Sequence, residues 1–248
     1  MSDTVIIEGP PIWVKSPYFK KPLKWVGRYY YGDEPRDIFA NMVKRIAEKI
    51  ADIVDSDNQA MVIISGPTST GKSTLGLSII AELCRIYKYD FNLDDIYIYS
   101  PEDMALKLDR KSPNRINWFD EGSVSLNSLE TMTKEGRLFN KFFDTMRLRH
   151  YINIICIPEG KEVNARVVKH ANLYIKCPKK APFLGFDNRG FFHASIKIRY
   201  DSGKEWDQFI GTGIYPKLPK KLKLEYEKVK NAHNVVFEDE FIKGVLKK

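Results

Sequence analysis

The sequence predicts an α/β fold with a central, mainly parallel sheet flanked by helices, followed by a β-hairpin and a final helix. Short, continuous apolar segments recur along the middle of the chain, and such segments are typical of strands buried on both faces of a parallel sheet. Segments with helical spacing of apolar residues separate most of them, which favours strands joined by crossover helices. The predicted strands are 60–65, 96–100, 116–119, 152–157 and 173–177.

The chain before these strands is less regular. Residues 1–34 are rich in Pro, Trp and Tyr and predict an N-terminal arm, with a short strand at 5–7 and an irregular segment at 29–33 that packs by its rings. Apolar residues then recur at helical spacing from Asp37 to about Val54. We expect this helix to lead into the α/β core, and the helix and core together span residues 35–178.

Helices are expected between the strands and a different pattern after them. The predicted helices of the core are 72–87, a short one starting at 101, 134–150 and 163–169. Beyond Pro178, residues 191–200 and 205–210 alternate on either side of a turn signal, which predicts a β-hairpin. A helix is predicted from about 219 to 232, so residues 179–248 form a third predicted unit.

Composition and charge restrict the class of protein. Hydrophobic residues make up 43% of the 248, which is enough for a folded core. The net charge of +8 and pI of about 9.2 favour an anionic partner such as nucleic acid, although a soluble protein with many surface lysines has the same balance. No apolar segment approaches the roughly 20 residues of a membrane span. With no signal-peptide pattern at the N-terminus, we expect a cytoplasmic protein.

Cysteines and basic clusters have ordinary structural interpretations beside functional ones. The three cysteines form no CxxC pair, so we expect buried free thiols. Lysines at 15–24 alternate with aromatic residues and are able to grip phosphates and stack bases, or else pack the arm onto the core. The hairpin and the segment 217–223 offer further basic residues, including Lys197, Arg199 and Lys204.

A phosphate-binding loop follows the first predicted strand. Residues 66–73 read GPTSTGKS and match GxxxxGK[ST] between a strand and a helix. The backbone N–H groups of such a loop wrap the phosphates, and the helix dipole favours their charge. Lys72 is expected to reach the β- and γ-phosphates, and the Ser73 hydroxyl to bind Mg²⁺. The residues expected to contact ATP are Gly66, Pro67, Thr68, Ser69, Thr70, Gly71, Lys72, Ser73 and Thr74.

An acidic pair ends the third predicted strand. Asp120 and Glu121 follow the apolar run 116–119. In this position Asp120 is expected to hold Mg²⁺ directly or through water, and Glu121 to polarise the attacking water. An acidic turn at a strand end is the alternative interpretation.

Two arginines end the helix that precedes the fourth strand. Arg147 and Arg149 are candidates for a finger that offsets transition-state charge in a neighbouring subunit. They also suit a basic last turn that complements the helix dipole. The sequence does not decide between these roles, and Arg149 is the nearer of the two to the strand.

These motifs and their order resemble the P-loop NTPases of the RecA type, in the additional-strand catalytic glutamate division. Within that division, residues 147–157 (RLRHYINIICI), residues 163–177 and the hairpin after the core look most similar to the FtsK–HerA-like DNA translocation and packaging ATPases of viruses and mobile elements. The resemblance implies ATP and Mg²⁺ as ligands and a ring, with a hexamer favoured, that binds ATP between subunits.

The favoured function is therefore an ATP-driven motor that translocates, packages or remodels DNA. An ATP-dependent replication initiator or helicase loader is a second hypothesis, although no C-terminal helical lid or clear DNA-binding helix pair supports it. A small-molecule kinase is a third, and Glu121 argues against it because simple kinases usually lack that glutamate. A nucleotide-dependent interaction protein without catalysis is a fourth.

Overall fold

A single six-stranded sheet forms the centre of the protein. The computed structural model describes residues 5–8, 12–14, 23–25, 28–31, 35–56, 59–99, 101–108, 116–120, 150–158, 170–178, 191–199, 205–214 and 218–232. The strands of the sheet are β5 (Ala60–Ser65), β6 (Ile116–Phe119), β7 (Ile152–Ile157), β8 (Leu173–Lys176), β9 (Phe191–Arg199) and β10 (Glu205–Ile214). Their order across the sheet is β10-β9-β8-β5-β7-β6.

Four of these strands are parallel, and their order decides which residues meet. Val62 of β5 and Trp118 of β6 both pair with Ile154 of β7, so β7 lies between the strand before the phosphate loop and the strand before Asp120. On its other side β5 pairs in parallel with β8. Since the carboxyl ends of parallel strands lie at one edge of a sheet, the loop after β5 and the acid after β6 reach the same edge.

The remaining strands are antiparallel. β9 pairs with β8 and β10 with β9, so the predicted hairpin is confirmed and extends the core sheet at its β8 edge. Two small ribbons lie before the core, β1 (Val5–Glu8) with β4 (Arg28–Tyr31) and β2 (Ile12–Val14) with β3 (Leu23–Trp25).

Helices cover the sheet. They are α1 (Pro35–Asp55), α2 (Lys72–Tyr87), the single turn α3 (Leu93–Ile96), α4 (Pro101–Leu108) and α5 (220–232). The apolar side chains of β5 alternate between two faces. Val62 and Ile64 pack with α1 and α2, and Met61 and Ile63 pack in a second cluster with Met104 of α4. Burial on both faces explains why the strand is apolar without interruption.

The fold class predicted from the sequence is confirmed, with two local differences. The predicted strand 96–100 is wrong. Ile96 ends the turn α3, and only Tyr97 forms a parallel bridge, to Trp118. Asn92 causes the difference, because its side chain caps this turn by accepting a hydrogen bond from the backbone N–H of Asp94 at 3.1 Å.

The second difference lies in the N-terminal arm. The segment predicted to be irregular at 29–33 lies largely in β4, which pairs with β1 in register from Val5 opposite Tyr31 to Glu8 opposite Arg28. Consecutive tyrosines favour strands, and this preference prevails over the packing interpretation. The predicted helices 134–150 and 163–169 lie outside the described residues. Within the described residues, no helix is long and apolar enough to cross a membrane.

Candidate nucleotide site

The phosphate loop occupies the turn between β5 and α2. Two glycines allow its path. Gly71 adopts a left-handed conformation with φ of 87° directly before the helix, a conformation that is costly for residues with a Cβ. A Cβ on Gly66 would collide with the carbonyl oxygen of Cys177, which follows β8. The loop thus passes close to the neighbouring strand and turns sharply into the helix that begins at Lys72.

Side chains of the loop brace it internally. The Thr70 hydroxyl donates a hydrogen bond to the carbonyl oxygen of Pro67 at 2.8 Å. The Lys72 ammonium donates to the carbonyl oxygens of Gly66 and Pro67, each at 2.8 Å. The ammonium therefore lies folded over the loop, where phosphate oxygens are able to replace the two carbonyls as acceptors.

The remaining loop residues present different degrees of exposure. Thr68 and Ser69 are exposed at the tip, and Thr74 is half-buried in the first turn of α2. Ser69 has a φ of 63°, in the left-handed region that residues with a Cβ rarely adopt. Loop N–H groups and the start of a 16-residue helix together offer the donors and the dipole that an anion requires.

Asp120 is connected to the loop by a hydrogen bond. The Ser73 hydroxyl donates to Oδ1 of Asp120 at 2.7 Å, between residues 47 positions apart in the sequence. Asp120 is only 5% exposed, and a buried carboxylate needs such donors to offset its lost hydration. The predicted metal ligands, Ser73 and Asp120, are thus in direct contact. A hydroxyl oxygen and a carboxylate are hard oxygen donors of the kind that Mg²⁺ prefers, so the pair fits this ion.

Helix α5 brings two further residues to the site that the sequence analysis missed. The Tyr226 hydroxyl donates to Oδ2 of Asp120 at 2.6 Å, and the Lys230 ammonium lies 3.3 Å from the same oxygen. The Tyr226 ring packs on Trp118, with centroids 5.5 Å apart. Burial, together with the negative charge of Asp120, raises the pKa of Tyr226 well above its ordinary value, so the phenol remains a hydrogen-bond donor.

Only a weak signal in the sequence points to these two residues. Tyr226 and Lys230 are four positions apart and therefore share one face of the predicted helix, but Tyr226 is 106 positions from its partner Asp120. No local pattern specifies a contact at that separation.

Other predicted residues lie elsewhere or outside the description. Glu121, Arg147 and Arg149 fall outside the described residues, so their roles stay predictions. Lys197 of the hairpin forms an ion pair with Glu205 at 3.1 Å and lies over the Tyr174 ring. The cysteines are buried free thiols, as predicted, and burial raises the pKa of Cys84 to about 11.

Loop, helix and sheet together form the fold of a P-loop NTPase. The phosphate loop joins a central parallel strand to a helix, and a buried aspartate at the end of a separate strand contacts the first turn of that helix. Such an arrangement is suited to holding a polyphosphate against a divalent cation.

Comparisons with known proteins give remote structural similarities. No protein family and no curated protein matches the sequence. The genome packaging NTPase of Sulfolobus turreted icosahedral virus 2, in complex with sulfate, is 14% identical, with a TM-score of 0.42 over 61% of this chain and 96% of that chain. A DNA polymerase III gamma subunit-related protein from Thermotoga maritima is 10% identical, with a TM-score of 0.39 over 58% of this chain and 47% of that chain. A KaiC-like protein from Pyrococcus horikoshii is 16% identical, with a TM-score of 0.29 over 64% of this chain and 90% of that chain.

Proposed function

We propose that this protein binds ATP with Mg²⁺ and hydrolyses it. The observation that carries the proposal is the hydrogen bond from Ser73 to Asp120. A sequence that matches the loop pattern by chance has no reason to place a buried acid, from the end of another strand, against the hydroxyl of that loop. The contact supports a site built for a metal-bound polyphosphate.

The loop supplies backbone and side-chain groups in this proposal. The backbone N–H groups of the loop, to which Pro67 contributes none, bind the β-phosphate, and Lys72 exchanges the carbonyls of Gly66 and Pro67 for β- and γ-phosphate oxygens. Ser73 and Asp120 would hold the Mg²⁺, which when bound neutralises charge on the phosphates. The backbone donors of the loop are already in place, so the loop backbone itself needs little reorganisation on binding.

Hydrolysis needs a water-activating group and a further positive charge. We assign the first role to Glu121, which follows Asp120 directly in the sequence and orients or deprotonates the attacking water. Arg147 or Arg149 supplies the second from a neighbouring subunit in a ring. The sheet order supports the additional-strand division, because β7 separates the loop strand from the acidic strand.

We propose DNA as the polymer on which the ATPase acts. The net charge of +8 and the sequence resemblance to translocation ATPases motivate this choice. Among the described residues, exposed lysines gather at the start of α5, at Lys220, Lys221 and Lys223, of which Lys223 forms an exposed ion pair with Glu227 at 3.6 Å. Lys197 is a weaker candidate, because its charge is already paired with Glu205.

ATP hydrolysis by the purified full-length protein tests the proposal. Turnover should be measured without nucleic acid and with single- and double-stranded DNA at low salt, where phosphate contacts are strongest. Stimulation by one form of DNA would support the motor and identify its track. A turnover rate that DNA does not change would contradict the proposed action on DNA, but not the proposed ATP hydrolysis. Tight ATP binding without turnover would contradict hydrolysis and favour the initiator or loader switch.

A further inference from the structure

The two oxygens of Asp120 have different partners. Ser73 donates to Oδ1, and Tyr226 and Lys230 both contact Oδ2. Ser73 donates only its proton, so the lone pairs of its oxygen stay available to a metal. The contacts from α5 instead occupy Oδ2, the carboxylate oxygen that Ser73 does not contact. A metal ion or a water bound to it would need this oxygen as an acceptor or ligand. The α5 contacts therefore compete with a cation for Oδ2.

The placement of α5 follows from its apolar packing. Leu222, Tyr226 and Val229 are half-buried against the core cluster that contains Trp118 and α2. Tyr226 belongs both to this packed face and to the polar contact, and Lys230 lies one turn further along. The packing therefore fixes the distance of the phenol and the ammonium from Asp120. The side chain of Asp120 is 2% exposed beneath them.

Charge also favours this arrangement. A buried carboxylate is costly unless donors and a positive charge compensate it. The Lys230 ammonium provides a positive charge at 3.3 Å, and the two hydroxyls provide hydrogen bonds. A divalent cation brings its own positive charge to the same carboxylate, so Lys230 then becomes a like charge that opposes it.

We propose that α5 covers the metal position, with Tyr226 and Lys230 holding Asp120 until Mg²⁺ with nucleotide displaces them. The inference rests on the proposed function, since it assumes that Asp120 serves the metal of a nucleotide complex. Tyr226 and Lys230 are positioning residues that act through Asp120 and set the Mg²⁺ concentration that the site requires. Loading of the site is thereby coupled to release of α5.

The experiment measures binding of a fluorescent ATP analogue to the full-length protein while Mg²⁺ is titrated. Tyr226→Phe keeps the ring on Trp118 and removes the hydroxyl, and Lys230→Met keeps the aliphatic stem and removes the charge. Each variant should lower the half-saturating Mg²⁺ concentration by about tenfold, the effect of one hydrogen bond to a charged group. Lys228→Met, at an exposed position of the same helix, is the matched control and should leave it unchanged.

Amide hydrogen exchange of residues 220–232 supplies a readout independent of activity. Exchange should accelerate at least several-fold when Mg²⁺ and a non-hydrolysable ATP analogue are added, because the helix leaves its packing. Unchanged or slower exchange would overturn the inference while nucleotide binding stands. So would a half-saturating Mg²⁺ concentration in Tyr226→Phe and Lys230→Met that equals or exceeds that of Lys228→Met. Absence of any analogue binding by the wild-type protein would overturn the proposed function together with it.

Discussion

The phosphate loop and helix α5 reach the same carboxylate from distant parts of the chain. The loop contact, from Ser73, comes from a motif of eight consecutive residues that the sequence shows directly. The α5 contacts, from Tyr226 and Lys230, come from a helix with no motif. The comparison teaches that the loop of this site is recognisable from adjacent residues, whereas the contacts from α5 depend on tertiary packing.

The largest effects are expected at Glu121, next to the shared carboxylate in the sequence, and at Lys72 of the loop. Replacing Glu121 by Gln should reduce the rate of ATP turnover by at least about 10²-fold, because the amide does not accept the proton of the attacking water. ATP binding should persist. Replacing Lys72 by Ala should weaken binding itself, since the loop loses the ammonium that neutralises the phosphates. Turnover and analogue affinity measured on both variants separate the two roles.

The reverse pattern would contradict these assignments. Wild-type turnover in Glu121→Gln would remove that residue from catalysis, and unchanged affinity in Lys72→Ala would place its ammonium away from the phosphates. Arg85→Ala, in an exposed ion pair of the last turn of α2, is a suitable control and should change neither quantity.

The next effect concerns the contact between the loop and Asp120. Ser73→Ala removes the hydroxyl that bonds to Asp120. The half-saturating Mg²⁺ concentration for analogue binding should therefore rise by about tenfold or more. Ser73→Thr retains the hydroxyl and should leave that concentration unchanged. A Mg²⁺ titration of the two variants decides the matter, and an equal rise in both would show that the residue supports the helix rather than the metal.

The same contrast between local patterns and long-range packing separates what the sequence predicts from what it does not. It gives β5, β6, β7 and α2 with the observed boundaries, because continuous apolar strands and a glycine loop have strong local signatures. The hairpin is also predicted, but not its pairing with β8, since strand neighbours are chosen by long-range packing. The division of the chain at residues 34 and 178 stays a prediction.

Two failures have physical reasons in particular residues. The predicted strand at 96–100 contains enough apolar residues for a strand, yet the cap at Asn92 favours a helical turn that leaves only Tyr97 in the sheet. Tyr226 was not predicted as a site residue because an aromatic residue on an amphipathic helix is usually core. Here it serves both as core, on Trp118, and as a donor to Asp120.

A smaller effect is expected on the α5 side, on stability. Tyr226→Ala removes a half-buried ring and a donor to a buried carboxylate, so the free energy of unfolding should fall by about 2 kcal/mol. Leu224 lies on the same helix but is 58% exposed, and Leu224→Ala should cost less than about 0.5 kcal/mol. Denaturant titration measures both, and equal values would show that α5 does not pack against the core in solution.

The smallest effects on stability are expected at the two ends of α2, because a residue in the left-handed conformation flanks the helix at each end. Gly71 precedes the helix with φ of 87°, and Lys88 follows it with φ of 55°, where its backbone N–H bonds to the carbonyl oxygen of Cys84. A glycine relieves strain in this conformation, whereas a residue with a Cβ does not. Lys88→Gly should therefore raise the free energy of unfolding by about 0.5–1 kcal/mol, and Gly71→Ala should lower it by about 1 kcal/mol.

Lys88→Ala separates backbone strain from loss of the lysine side chain. Alanine keeps the Cβ, so this variant should lack the gain that glycine provides. Thermal or denaturant midpoints of the three variants provide the measurement. A gain in Lys88→Ala equal to that in Lys88→Gly would attribute the effect to the charge of Lys88 instead. The left-handed conformation at Lys88 would then cost no measurable strain.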